Sequence, residues 1–335
     1  MSQLPIPEFF DSDRVSQLWR VPYADRAAQA KTWAEQHDLS PASADDRRIC
    51  LLLIDVQNTF CLPDYELFVA GRSGRGAIED NIRLCKFIYR HLGQITNIVA
   101  TMDTHRAMQI FHPFFWVDGD GNNPPPMTEI VAEEVEAGKW NVNPAIVPNL
   151  QAGDYEKLQR YALHYAKLLN NNRQYPLMVW PYHGMLGGVG HALVSAIEEA
   201  CFFHSIARRS QIRYEQKGTN PLTENYSALK PEVLEDEAGN PIDKKNTELI
   251  EYLLGFDAVI VAGQAKSHCV AWTVSNFLEE INARDRQLAS KVYLLDDCTS
   301  PVVVPDVVDY TDAAEAAFDR FAEAGMHRIK STETI

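Results

Sequence analysis

The sequence predicts an α/β fold of three layers: a central, mostly parallel sheet with helices on both faces, an N-terminal helical extension and a large insertion. Three observations carry this prediction. Two apolar runs, Arg48-Ile-Cys-Leu-Leu-Leu-Ile-Asp55 and Asp257-Ala-Val-Ile-Val-Ala262, are continuous rather than alternating, as strands buried on both faces are. Runs of this kind alternate with stretches of helical periodicity along most of the chain. The first two strands also end in aspartate, at Asp55 and Asp103, the end at which parallel strands deliver side chains to a ligand crevice.

Taken in order, residues 1–46 read as a polar extension with helices over 15–19 and 27–37. The first strand (48–55) leads to a helix over 77–92, and a second strand follows as Thr96-Asn-Ile-Val-Ala-Thr-Met-Asp103. Further on, helices are expected over 190–208, 246–254, 269–282 and 311–324, and strands over 211–216, 257–262 and 291–296. One segment breaks the rhythm. Residues 118–175 open with Asp-Gly-Asp-Gly-Asn-Asn-Pro-Pro-Pro and hold one amphipathic helix, over 154–169. They read as an insertion on the functional edge of the sheet, a lid or an assembly surface. The expected organisation is an extension (1–46) followed by one domain (47–335) that carries the insertion.

Composition excludes several classes of function. A formal charge of −15 leaves no clustered basic footprint for nucleic acid. No stretch approaches the roughly 18 apolar residues of a membrane span, and the first residues lack a basic start followed by an apolar run. The six cysteines are scattered without close pairs, so free, buried thiols and a cytoplasmic location are expected.

Three residues stand where chemistry is expected. Asp55 and Asp103 end strands, and Cys269 follows a strand at the expected start of a helix, where backbone N–H groups and the helix dipole favour a thiolate and can hold an oxyanion. A lone cysteine in such a loop is more often simply packed. Its coincidence with two carboxylates at one sheet edge argues for a site.

Five motifs in order extend this reading: Asp55-Val-Gln-Asn-Thr-Phe60, Asp103-Thr-His105, Trp180-Pro-Tyr-His183, Lys217-Gly218 followed by Tyr226-Ser-Ala, and Ala262-Gly-Gln-Ala-Lys-Ser-His-Cys269-Val. Together they resemble the isochorismatase-like cysteine hydrolases, and within them the nicotinamidases, over about residues 47–300. The resemblance implies an amidohydrolase with a triad of Asp55, Lys217 and Cys269, acting on a small amide through a thioester. It implies a cis peptide between Gln264 and Ala265 and an oxyanion hole at Ala265 and Cys269. Phe60, Trp180 and Gln264 would bind substrate.

Asp103, His105 and His183 would hold a divalent metal (Zn, Fe or Mn), with no organic cofactor. His112 is a further candidate ligand, although a histidine before a Pro-aromatic stretch is more often structural. Phe60 and Trp180 could equally be core aromatics. His268 adjoins the nucleophile, but its side chain is expected to point away from Cys269. The partner implied is a small-molecule amide, with no nucleic acid or membrane and a homo-oligomeric assembly.

The chain departs from the family pattern at three places. Lys266-Ser267 replaces the usual Thr-Asp, Gly184 replaces a common Cys, and 77 residues separate Asp103 from Trp180. These leave other readings open: an amidase or ureido-hydrolase on another small molecule, or a catalytically silent binding or assembly module. An isochorismatase-type vinyl ether hydrolase needs no cysteine nucleophile, and Cys269 counts against it.

Overall fold

The computed structural model describes residues 3–150, 153–171 and 175–333. Its centre is a six-stranded sheet of β1 (Ile49–Ile54), β2 (Asn97–Asp103), β3 (Arg213–Lys217), β4 (Ala258–Gly263), β5 (Val292–Leu295) and β6 (His327–Ile329). The spatial order is β6-β5-β4-β1-β2-β3, and every neighbouring pair is parallel. β1 and β4 lie in the interior, and every residue of both is buried. That is why their sequences are unbroken apolar runs.

The pleat divides β1 between two cores. Ile49, Leu51 and Leu53 face α1 (Tyr23–Gln36), α2 (Gly76–Arg90) and α4 (Ser195–Arg208). Cys50, Leu52 and Ile54 face α5 (Thr247–Leu254), α6 (Ala271–Arg284) and α7 (Thr311–Glu323). Each fully buried Leu or Ile contributes about 1.5–3 kcal/mol, so a charge placed anywhere in β1 would break the sheet at its centre.

The extension belongs to the first core. Leu4, Ile6, Phe9, Phe10 and Trp19 pack against it, Arg26 pairs with Glu199 at 2.8 Å, and the Leu4 N–H donates to the Arg90 carbonyl at 2.9 Å. The helix expected over 15–19 does not form; a single 3-10 turn, Ser12–Arg14, stands just before it, and Val15 is buried as a plug. The helix expected from 190 begins only at Ser195. β6 was not expected: three half-exposed residues at a sheet edge carry no apolar run to reveal them.

The 118–175 insertion joins its neighbours to form a third core. Here α3 (Tyr155–Asn171) packs Leu158, Tyr161 and Tyr165 against Phe111, Trp116 and Ile146. Two short antiparallel ladders complete it, pairing Trp116–Val117 with Asn141–Val142 and Glu129–Ile130 with Leu177–Met178. This unit braces the loop after β3, because the Tyr161 hydroxyl donates to the Leu222 carbonyl (2.8 Å) and the Glu224 N–H donates to the Tyr165 hydroxyl (3.0 Å). All six cysteines are free and buried. No described helix is long and apolar enough to cross a membrane.

Candidate active site

Strand ends bring the three expected catalytic side chains together. Asp55, wholly buried, leaves β1 with φ +48°, a left-handed conformation that aspartate tolerates better than most residues. Its N–H donates to Thr101 Oγ1 at 3.0 Å, and the Thr101 hydroxyl donates back to Asp55 Oδ1 at 2.5 Å, which fixes the carboxylate. Lys217 ends β3 in register with Asp103. Its ammonium lies 2.9 Å from Asp55 Oδ2, 3.0 Å from Asp103 Oδ1 and 3.6 Å from Cys269 Sγ, and it donates to the Asn225 carbonyl at 2.8 Å.

Cys269 sits in a π-helical turn, Lys266–Val270, that leads into α6, and not in the first α-helical turn expected from the sequence. The turn follows a close approach of two strand ends. A Cβ on Gly263 (φ +120°) would stand 2.0 Å from the Ile54 carbonyl oxygen, so only glycine fits there. The Gln264–Ala265 peptide is cis.

Burial sets the electrostatics and Lys217 opposes it. Loss of water pushes the Cys269 thiol well above its usual range; Lys217 pulls it down, while Asp55, which hydrogen-bonds the thiol, raises it further. Burial also raises the Asp55 carboxyl, against the pull of Lys217. For Lys217, burial works against the charge, yet Asp103, Asp55 and Cys269 together hold its pKa well above the usual lysine value. The resting site is therefore a thiol beside a carboxyl, both bridged by a fixed ammonium.

Asp103, His105 and His183 converge beside the triad, and His112 joins them. The ligand atoms of His105, His112 and His183 lie within 4.8 Å of one another, all three residues buried. Each ring has its Nδ1 on a backbone carbonyl: His105 on that of His183 (3.0 Å), His112 on that of Arg106 (3.0 Å) and His183 on that of Pro181 (2.8 Å). With Nδ1 donating, each neutral ring presents an Nε2 lone pair, the arrangement that orients metal-binding histidines.

Those lone pairs lack protein donors. His105 Nε2 lies 2.9 Å from Asp103 Oδ1, the oxygen that pairs with the Lys217 ammonium, and neither His105 Nε2 nor His112 Nε2 has a hydrogen-bond donor. His183 Nε2 lies 3.6 Å from Asp103 Oδ2. Burial, with the other two histidines, lowers His112 to about 3, and burial, with His105, also lowers His183, which keeps their lone pairs free. Burial pushes the Asp103 carboxyl up, but His105 and Lys217 beside it hold it well below the usual carboxylate range. A Cβ on Gly218 (φ +75°) would stand 2.7 Å from His105 Nε2 and 2.9 Å from Asp103 Oδ1, so the glycine keeps this space clear. The three buried imidazoles converging on one point fit a divalent cation, with the Asp103 carboxylate beside them.

A cavity of about 240 Å³ opens onto this cluster. Cys269, Asp103, His183 and Ala265 form its reactive end, and Phe60, Trp180, Tyr226 and His268 its aromatic walls. Leu67, Phe68, Val69 and Val302–Val304 give it an apolar mouth, and Met127 reaches in from the insertion. Phe60 and Trp180 thus line the cavity.

Gln264 does not. Its side chain turns into the core, donating to Asp80 Oδ2 (2.8 Å) and accepting from the Ser300 N–H (3.3 Å), and it is absent from the cavity wall. Lys266 likewise points away, bridging Asp296 (2.8 Å) and Glu315, so the Lys266-Ser267 departure does not itself line the pocket. His268 was expected to face away and does not, because the π turn keeps it on the same side as Cys269. Burial lowers its pKa to about 3. Glu224, unremarked in the sequence, also lines the cavity; its place two residues before Tyr226 was the available signal.

No family model and no curated protein sequence matches the chain. Solved structures do. An Acinetobacter baumannii nicotinamidase/pyrazinamidase is similar at 19% identity, with a TM-score of 0.51, over 86% of this chain and 98% of that one. The yeast nicotinamidase bound to the inhibitor nicotinaldehyde is similar at 18% identity, with a TM-score of 0.51, over 84% and 99%. At these identities the likeness is one of fold, and the three-layer fold expected from the sequence is the one these structures match.

Proposed function

We propose that this chain is a cysteine hydrolase that cleaves a small, flat carboxamide of the nicotinamide type into its acid and ammonia. The observation that carries the reading is the Lys217 ammonium, which reaches Asp55, Asp103 and the Cys269 sulfur at the end of an aromatic-walled cavity. A buried thiol pushed towards its neutral form needs both a base and a cation to act, and this arrangement supplies both.

In the proposed reaction Asp55 accepts the thiol proton while Lys217 stabilises the thiolate and carboxylate charges in turn. The sulfur attacks the amide carbon, and the developing oxyanion is held by the N–H groups of Ala265 and Cys269. The amine leaves as ammonia with the proton held by Asp55, which leaves a thioester on Cys269. Asp55 then takes a proton from water, the hydroxide displaces the sulfur, and the carboxylic acid departs as the thiol is restored.

His105, His112, His183 and Asp103 would hold the divalent metal, which when bound would supply a Lewis-acid contact for a ring nitrogen of the substrate. Phe60, Trp180, Tyr226 and His268 support this reading by offering ring faces for a planar substrate.

The test is a panel of small amides and carbamoyl compounds scored for ammonia release, with acid-quenched samples weighed by intact-mass spectrometry. An acyl adduct on Cys269 from a ring carboxamide is the expected result. Ammonia without an adduct, or release confined to ureido compounds, would move the chain to different chemistry.

A further inference from the structure

Glu224 is a buried carboxyl that the proposed reaction does not use. It is 5% exposed and lines the cavity beside Asp103 and Tyr226. Its Oε1 accepts only a long hydrogen bond from the Asn225 N–H (3.3 Å), and its Oε2 has no partner. No described lysine, arginine or histidine forms an ion pair with it, since the nearby Lys217 ammonium is committed to Asp55, Asp103 and the Asn225 carbonyl. Its backbone, by contrast, is firmly held. The N–H donates to the Tyr165 hydroxyl (3.0 Å), and the carbonyl accepts from the Glu232 N–H (2.9 Å). The fold thus holds a carboxyl in the cavity wall with one oxygen unsatisfied, an arrangement that costs stability unless a ligand completes it.

We propose that Glu224 binds the substrate by accepting a hydrogen bond from an N–H of the amide being cleaved. The inference rests on the amidohydrolase reading above and follows from elimination along the cavity wall. With the amide oxygen towards Ala265 and Cys269, the amide nitrogen projects across the cavity with two donors that need acceptors. Asp103 is taken up by Lys217 and the histidines. The Tyr226 hydroxyl already accepts from Trp180 Nε1 at 3.0 Å. Glu66 stands at the exposed rim with Thr59. Asp55, the base that returns its proton to this nitrogen, answers one N–H, and among the wall residues Glu224 Oε2 is the buried acceptor atom with neither a hydrogen bond nor an ion pair. The contact makes the pocket a reader of amides over esters, because an ester of the same acid offers no N–H.

The test compares nicotinamide with methyl nicotinate. Glu224→Leu is expected to lower kcat/KM for the amide about 10- to 100-fold while leaving the ester within about threefold. Glu224→Gln keeps an oxygen acceptor and restores amide turnover to within about fivefold. Equal losses on both substrates would assign Glu224 a structural role and overturn the contact, as would unchanged amide turnover in Glu224→Leu. Calorimetric binding of nicotinamide to Cys269→Ala protein separates the contact from the chemistry. There the added Glu224→Leu change weakens binding about tenfold if the inference holds and leaves it unchanged if not. A wild-type protein that binds nicotinamide through Glu224 but releases no ammonia would overturn the hydrolase reading alone.

Discussion

Replacing Lys217 with methionine removes one positive charge and little volume from a site that holds two carboxyls and a thiol. The ammonium contacts Asp55 at 2.9 Å and Asp103 at 3.0 Å, and at an effective dielectric near 20 each contact is worth about 5–6 kcal/mol before desolvation is counted. Desolvation cancels much of that. What the variant loses is the cost of leaving buried charge unpaired, about 3–5 kcal/mol, limited because Asp55, already raised, takes up a proton. That loss is a large share of the stability of an ordinary domain. Urea unfolding of Lys217→Met should therefore show a midpoint far below that of the wild type. Turnover should fall further than stability explains, by at least about 10³-fold in ammonia release at a temperature where the variant is folded, because no cation remains to favour thiolate over thiol. An unchanged unfolding midpoint, or turnover within tenfold of wild type, would refute the electrostatic reasoning.

Other outcomes follow from the same structure. Replacing His112 with alanine should cut bound metal in the purified protein as strongly as His105→Ala does, read by elemental analysis; full occupancy in His112→Ala would return that residue to a structural role. Lys266→Met should lower stability by about 1–3 kcal/mol, because Asp296 and Glu315 stay partly hydrated, without changing the ranking of amide substrates; a changed ranking would mean that its ammonium reaches the pocket after all. His204 and His268 are buried, and burial lowers them to about 4 and about 3. Between pH 6.5 and 4 the unfolded chain binds protons that the folded one refuses, so stability falls with falling pH by about 1.4 kcal/mol per unit for each ring. Melting curves from pH 7 to 5 should show this slope, and His268→Phe should flatten it; an unaltered slope in that variant would contradict the assignment.

The sheet was legible because burial on both faces writes itself as unbroken apolar runs, and β1 and β4 are such runs. Asp55, just past β1, and Asp103, at the end of β2, were legible as the carboxylates that close two apolar strands. Lys217 was not, because Arg213 to Lys217 is an edge strand of mixed burial and only the Lys-Gly and Tyr-Ser-Ala motif marked it. His112 was obscured by the Pro-aromatic stretch that follows it, and folding brings its ring to His105 and His183 through a chain reversal with no local signature. Gln264 misled because a motif position says nothing of side-chain direction, and at the end of β4 that direction is towards Asp80. His268 faces the cavity beside Cys269, against expectation, because the two share a wide π turn that nothing in the local sequence marks.

Much of the site's rigidity comes from parts of the chain outside the motifs. The insertion holds the Leu222 and Glu224 backbone through Tyr161 and Tyr165, and the next residue, Asn225, supplies the carbonyl that anchors the Lys217 ammonium. A segment read from the sequence as a lid or an assembly surface is thus tied to Lys217 through one loop. The ammonium is placed from two sides, by β3 and by the insertion.

The central claim is that Cys269 is the nucleophile of an amide hydrolysis, and ammonia release from nicotinamide by wild-type and Cys269→Ala protein tests it most directly. The account predicts release by the wild type and its loss, by at least about 10³-fold, in the variant. Undiminished release from Cys269→Ala would contradict it.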